Sequence, residues 1–230
     1  MICFQDIVKV FDTVNLKMLQ KAMERIKISK KAIEFIIGLF KNRKLKAITS
    51  YGLTDEIIAG DGLDQEETIS PLLWRIFYDP LLSKIQNNKE LGYIMETKWQ
   101  PNLNCPDEES IRLKTIATAF MDDTTWIALS KSNMQRILDK AAIFYKANDS
   151  QVNGKKSVLI AINSSKKDLN KVVYIESNRK SLKKLDENNF TRYLGIWLEE
   201  KNQKKFIINL LQREIFQVIQ ALKKKKTIDK

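Results

Sequence analysis

The sequence predicts an α+β fold in which helices pack on an antiparallel sheet. Three observations carry that prediction. Strand-like and helix-like segments alternate irregularly, without the regular βαβ repeat of a doubly wound fold. Several helices carry start signals of their own, with Asn or Ser placed to cap them. Two apolar, β-prone stretches flank Asp122-Asp123 within residues 116–129.

Taken in order, residues 2–10 mix apolar and polar positions and suit a short strand. Asn15 can cap a helix in which Leu16, Leu19, Met23 and Ile26 recur at helical spacing, and Ser29 a second with Ile33, Ile36, Ile37 and Phe40 on one face. Residues 44–50 and 53–59 read as strands around Tyr51-Gly52, followed by the Gly60-Asp61-Gly62 turn. Ser70-Pro71 signals a third helix, Ser as cap and Pro at the first helical position, which Pro80 bends or resets. Residues 92–98 suit a strand and 99–110 a polar loop. After the strands that flank the Asp pair, Ser132 opens a helix with Met134, Ile137, Leu138, Ala141 and Phe144-Tyr145 inward. Residues 156–162, 172–176 and 191–198 read as strands, and 204–226 as an amphipathic basic helix.

Composition narrows the chemistry. A chain of 230 residues, 43% hydrophobic and 30% charged, can bury a sizeable core. No stretch approaches the roughly 20 apolar residues of a membrane span, and the start does not read as a signal peptide, so the expected setting is cytoplasmic or nuclear, away from membranes. With no His, a Ser-His-Asp triad, a His-ligated zinc and an imidazole base are excluded within this chain, and Cys3 and Cys105 cannot make a structural zinc site alone. Residues 1–130 hold 17 Lys and Arg against 18 Asp and Glu; residues 131–230 hold 23 against 10, a balance of +13. Such asymmetry points to a polyanion partner, the plainer alternative being a solvated Lys-rich surface.

Adjacent carboxylates between apolar strands repel each other and lose hydration unless a cation or donors compensate. Asp122-Asp123 therefore suits a hard divalent cation, with a simple hairpin tip as the other reading. Asp6, at the end of the first strand, can join them if the two strands lie side by side, and three carboxylates could hold two ions about 3.5–4 Å apart.

These residues resemble a known family. The stretch from Asp6 to Asp12, Asp-Ile-Val-Lys-Val-Phe-Asp, is similar to motif A of non-LTR retrotransposon reverse transcriptases, with Val10 where the family has Ala. Gly62 to Leu72, with Gln65 and Ser70-Pro71, resembles motif B; Phe120-Met121-Asp122-Asp123 resembles motif C; residues 153–157 resemble motif D and Tyr193-Leu194-Gly195 motif E. The resemblance covers residues 1 to about 200 in family order. It implies a polymerase palm with partial fingers over about 15–68, and a thumb-like basic helix beginning in 201–230.

The resemblance also implies roles. Asp6, Asp122 and Asp123 would ligate two Mg²⁺ ions, with Mn²⁺ as an alternative. Lys156 would neutralise or protonate leaving pyrophosphate, Phe11 would lie under the incoming sugar, and Gln65 would contact nucleotide or template. Ser70 would belong to the substrate site, and Tyr193 and Gly195 would grip the primer. Asp12 reads as structural. The partners would be an RNA template, a DNA primer and deoxynucleoside triphosphates. Plainer readings stand beside these roles: a core Phe, a loop amide, a solvated Lys, an ordinary hairpin.

Two departures limit the expectation. The chain opens almost on motif A, so it is expected to be an N-terminally truncated remnant of a mobile-element reading frame, lacking the family's N-terminal fingers. A non-catalytic nucleic-acid-binding remnant and an intron-maturase-like RNA-binding palm are the rival readings. The second departure is Glu66, which stands where the motif B Gly is expected, placing a carboxylate where close backbone approach and phosphates are anticipated. Exchanging Glu66→Gly is expected to raise primer-extension activity; an active preparation that gains nothing removes the idea.

Overall fold

The computed structural model describes residues 1–65, 67–88, 90–99, 109–162, 173–175, 180–184, 191–198 and 204–226, so Glu66 and Cys105 lie outside the described residues. The chain divides into two units, Met1–Lys184 and Leu185–Lys230. The first is built around strand β1 (Ile2–Val8), whose residues are buried or half-buried along its whole length.

β1 is followed by α1 (Leu16–Arg25) and α2 (Lys30–Phe40), then by short strands β2 (Lys44–Leu45), β3 (Ile48–Thr49), β4 (Gly52–Leu53) and β5 (Ile57–Ile58). Helix α3 (Ser70–Gln86), strands β6 (Tyr93–Trp99), β7 (Glu109–Thr115), β8 (Ala117–Phe120) and β9 (Asp123–Ile127), and helix α4 (Lys131–Ala147) come next. Strands β10 (Gln151–Val152), β11 (Val158–Ile160), β12 (Tyr174–Ile175), β13 (Lys180–Ser181) and β14 (Lys183–Lys184) complete the unit.

The main sheet has the order β14-β11-β1-β9-β8, with β10 also paired to β1. β1 runs antiparallel to β9, β10 and β11, while β14 joins β11 in parallel. This is an antiparallel-dominated α+β architecture, as the sequence predicts. One face of β1 and β9 meets α3 and α4, where Trp74, Phe77, Tyr78, Met134, Ile137 and Trp126 are almost wholly buried. Each such aromatic removes roughly 150–250 Å² from water, about 4–6 kcal/mol at ~25 cal/mol/Å².

A buried polar chain crosses this face. The Tyr145 hydroxyl donates to Gln5 Oε1 at 3.0 Å, and Trp126 Nε1 donates to the same oxygen at 2.7 Å. Tyr145 has spent its one proton on Gln5, so Tyr78 donates to Tyr145 (2.7 Å) and accepts from Thr124 Oγ1 (3.1 Å). Burial pushes the Tyr78 phenol up to about 12 and the Tyr145 phenol well above its ordinary value, which keeps both as donors.

Local chemistry explains the elements. Asn15 caps α1 by accepting from Met18 N–H, and Ser29 caps α2 by accepting from Ala32 N–H. β1 stops at Val8 rather than residue 10, because Lys9 adopts a left-handed φ of 49° and turns the chain out of the strand. Ile26 is the C-cap of α1 and 43% exposed, so it leaves the buried face. Residues 44–59 do form a hairpin, but its pairing is interrupted where Thr54 bonds Ala47 through both backbone and hydroxyl.

At α3 the expected cap differs. Ile69 already has helical angles, Ser70 is the first helical residue, and its hydroxyl is buried without a partner instead of capping. Pro80 lies inside α3, which runs on to Gln86; buried Phe77, Tyr78, Leu81 and Ile85 anchor the helix on both sides of the missing N–H. α4 is capped by Ser130, extended and accepting from Asn133 N–H, not by Ser132, which is its second residue. β7 is a strand the sequence reading missed; Ser110-Ile111-Arg112-Leu113-Lys114 alternates with period two and pairs with β6 along its length. Of the 99–110 segment, 100–108 lies outside the described residues.

The second unit contains strands β15 (Thr191–Tyr193) and β16 (Ile196–Leu198), a two-residue hairpin, and helix α5 (Lys204–Lys226). Leu194 and Gly195 have φ of 47° and 83°, the positive pair a type I′ hairpin turn requires. Among the described residues no helix is long and apolar enough to cross a membrane.

Replacing Gln5→Met is expected to destabilise the protein by about 2–4 kcal/mol, since the Tyr145 hydroxyl and the Trp126 indole then lose their shared acceptor. Tyr145→Phe should cost about 1–2 kcal/mol, as it removes the hydroxyl that joins Tyr78 to Gln5. Urea unfolding curves measure both, and a Gln5→Met midpoint equal to wild type would contradict the network.

Candidate active site

The register of two strands brings the carboxylates together. Asp6 of β1 lies directly opposite Asp123 of β9, and β8 pairs Phe120 with Asp123 so that Met121 and Asp122 form the hairpin tip. Side chains alternate along a strand, so Gln5 and Thr124, which meet the helices, leave Asp6 and Asp123 to the opposite face.

The tip is held from two directions. Met121 has a left-handed φ of 52°, a conformation that costs a non-Gly residue roughly 1–2 kcal/mol. Its carbonyl accepts from Trp74 Nε1 at 2.9 Å, and the Asp122 carbonyl accepts from Ile7 N–H at 3.2 Å. On the other side of β1, the turn over 153–157 clasps Asp6. Asn153 N–H donates to the Asp6 carbonyl (2.9 Å), Asp6 N–H to Ser157 Oγ (3.4 Å), and Ser157 Oγ to the Asn153 carbonyl (2.8 Å).

That turn presents Lys156, whose Nζ lies 3.7 Å from Asp6 Oδ1; Lys156 is mostly exposed and Asp6 largely covered. The Asp123 carboxyl is held above its usual range, first by burial, then by the negative charges of Asp122 and Asp6, with Lys156 opposing. Lys156 thus acts on both Asp6 and Asp123. The donor set suits a hard divalent cation, because all three carboxylates are oxygen ligands whose repulsion an ion would relieve. Among the described residues, no three Asp, Glu or Cys groups stand already arranged to hold an ion.

The remaining site residues fall as follows. Phe11 is half-buried against the core, and its carbonyl accepts from Leu63 N–H at 2.9 Å, joining the end of motif A to the start of motif B. Gly62 makes this approach feasible: it has φ 119°, and a Cβ there would fall 2.9 Å from the Asp12 carbonyl oxygen. Arg43 braces the loop by pairing with Asp64 and donating to the Gly62 carbonyl at 3.2 Å. Gln65 is exposed on that loop, whereas Ser70 is wholly buried. Tyr193 and Gly195 belong to the second unit. Asp6, Asp122, Asp123 and Lys156 are therefore brought together.

Sequence reasoning missed Trp74 and gave Gln5 and Ser157 no role. Gln5 carried a readable signal, being a polar residue in a strand otherwise rich in apolar ones. Trp74 carried a weaker one, an indole N–H on a helix face that needs an acceptor.

Residues 1–198 match the sequence profile of the family described as reverse transcriptase (RNA-dependent DNA polymerase). The chain belongs to that family. Over 161 residues this reverse transcriptase domain is 25% identical to the Retrovirus-related Pol polyprotein from type-1 retrotransposable element R2 of Popillia japonica, covering 70% of this chain and 20% of that polyprotein. It is a reverse transcriptase domain of the non-LTR type. Apo telomerase from Candida tropicalis, truncated from the C-terminal domain, shares its fold at a TM-score of 0.55 and 15% identity, over 86% of this chain and 34% of that one. Telomerase from the same organism in complex with a TWJ fragment of telomeric RNA gives 0.50 and 17%, over 92% and 33%. The chain thus spans a fifth of the R2 polyprotein and about a third of the telomerase chains.

The raised Asp123 pKa fixes a sign. A carboxyl easier to protonate in the folded state than in the unfolded one penalises the fold once it ionises. The penalty is full above the raised folded value and vanishes as pH falls towards the unfolded value of about 3.9. Asp123→Asn is therefore expected to raise the urea midpoint at pH 7, with the gain shrinking as pH falls through the carboxylate range. A gain that grows on acidification would reverse the assignment.

Proposed function

We propose that this chain carries the nucleotide-adding centre of an RNA-directed DNA polymerase. The observation that supports the reading most is the cross-strand pairing of Asp6 with Asp123, with Asp122 at the adjoining tip. Asp6, Asp122 and Asp123 would hold two Mg²⁺ ions, or Mn²⁺ in their place. When bound, such ions lower the pKa of an attacking hydroxyl and stabilise a leaving phosphate oxygen.

The reaction joins a primer 3′-oxygen to the α-phosphorus of a deoxynucleoside triphosphate and breaks the bond to the β-phosphate, releasing pyrophosphate. Lys156 rests against Asp6. Its exposed ammonium is free to turn towards the departing pyrophosphate, supplying charge or a proton there. Phe11 and Gln65 would border the nucleotide, Ser70 would support that border from inside, and Tyr193-Gly195 would grip the primer. Residues 1–200 would form the palm with partial fingers over about 15–68. Residues 201–230 would begin a thumb whose basic helix α5 follows the template–primer backbone through sequence-independent phosphate contacts.

The test is primer extension on an RNA template with Mg²⁺ and deoxynucleoside triphosphates. Asp122→Ala and Asp6→Asn should each lower the rate by on the order of 10²–10³ or more, and Lys156→Met by about 10². Extension that is absent, or unchanged in Asp122→Ala, rejects the polymerase reading and leaves a nucleic-acid-binding protein of the same fold.

A further inference from the structure

On the helical side of the sheet, α1, α3 and α4 leave an open groove of about 370 Å³ that the nucleotidyl-transfer reading does not use. Its floor is apolar. Phe77, Leu81 and Ala22 line it fully buried, Pro80 and Phe144 half-buried, and Ile143 stands on the lip, 64% exposed.

Its rim is cationic. Lys21 and Arg25 lie one turn apart on α1, Lys84 comes from α3 and Lys140 from α4, so three helices each bring positive charge to one opening. Arg25 is paired with Asp79 of α3, which leaves the rim an excess of positive charge. At one end lies Asn148, almost wholly buried, whose Nδ2 donates to the Phe144 carbonyl while its Oδ1 has no donor.

The occupant follows from that combination. An apolar trough bordered by ammonium and guanidinium groups is complemented by a helix with an apolar stripe flanked by carboxylates. The chain's own amphipathic helix α5 has the wrong sign, with seven Lys and Arg against one Glu. A second copy docked by the same groove would set cation against cation. Nucleic acid would satisfy the rim but leave the Phe77, Leu81 and Pro80 floor without apolar cover. A template–primer engaged by Asp6 and Asp123 would also lie on the opposite face of the sheet.

We propose that the α1/α3/α4 groove docks an acidic amphipathic helix of a partner protein. Its apolar residues, at i, i+3/i+4 and i+7, would fill the floor, and its carboxylates would engage Lys21, Lys84 and Lys140. The surface is independent of the polymerase reading, because its residues belong to the helical layer and touch none of the candidate catalytic carboxylates.

Fluorescence polarisation with the full chain tests it. The probe is a labelled peptide of roughly 16 residues, long enough to form a helix, with a Leu/Phe stripe flanked by Glu. Controls are the same peptide with Lys for Glu, a scrambled peptide of equal composition, and a labelled oligouridylate. The acidic helix should bind saturably and the Lys version should not. The double variant Lys84→Glu/Lys140→Glu should weaken binding about tenfold or more, and Ile143→Asp should weaken it by about fivefold or more. Both variants replace side chains that reach solvent, and an unchanged thermal midpoint confirms that they fold. The proposal is overturned if the scrambled peptide binds equally well or if a folded double variant keeps full affinity. It is also overturned if only the oligouridylate binds and loses affinity in these variants, which would make the groove a nucleic-acid site.

Discussion

The antiparallel ladder between β1 and β9 is the constraint on which the rest depends. Its register sets Asp6 against Asp123 and, one step along, Gln5 against Thr124. A slip of one residue would exchange the two faces, driving a carboxylate into the helices and a buried amide out to the site. Apolar patterning alone locks this weakly, because Cys3, Phe4 and Ile7 occupy both faces of β1 as buried residues. The lock is polar. Thr124, Tyr78, Tyr145, Gln5 and Trp126 form a chain in which each donor has one acceptor, and the arrangement closes only in the observed register. A slipped strand would leave several buried polar groups unpaired, each costing about 1–3 kcal/mol.

The carboxylate face works against stability, and the surrounding structure offsets it. Asp123 is raised first by burial and then by its acidic neighbours, and Lys156 opposes the shift in part. The compensation is loose, since Lys156 is mostly exposed and therefore screened by water. A cation held too tightly by its own protein would compete with any incoming ion. The 153–157 turn resolves the conflict by fixing the backbone of Asp6 through Asn153 and Ser157 while leaving the Lys156 side chain on the surface.

Much of this was readable in the sequence, where local chemistry decides. Asn15 and Ser29 cap the helices they precede, and residues 204–226 form the expected helix, because each signal acts within a few residues. The convergence of Asp6, Asp122, Asp123 and Lys156 was legible through ordered motifs rather than through spacing. Where the reading failed, a tertiary contact outweighed a local preference. Ser70 is drawn into the core instead of capping, and Pro80 is tolerated because buried neighbours hold the helix around it. At α4 the sequence reading placed the helix start at Ser132, whereas the extended backbone of Ser130 makes that residue the cap. Trp74 could not be paired with Met121 from sequence, since the two stand 47 positions apart.

That last contact shows how the site's shape is distributed. A tight hairpin would favour Gly at position 121, where φ is positive. Met121 is kept instead, and its side chain packs against the hydrophobic core. The turn therefore exchanges backbone ease for packing, and the residual strain of roughly 1–2 kcal/mol is opposed by the Trp74 bond to the Met121 carbonyl and the Ile7 bond to the Asp122 carbonyl. Both donors lie outside the hairpin, one on α3 and one on β1. The direction in which Asp122 leaves the backbone is thus set by the docking of α3 on the sheet. Trp74 also stacks on Tyr78, its centroid 5.2 Å away, and Tyr78 is the middle of the polar chain that fixes the strand register. The position of one carboxylate and the register that brings the other two together therefore meet on a single turn of one helix.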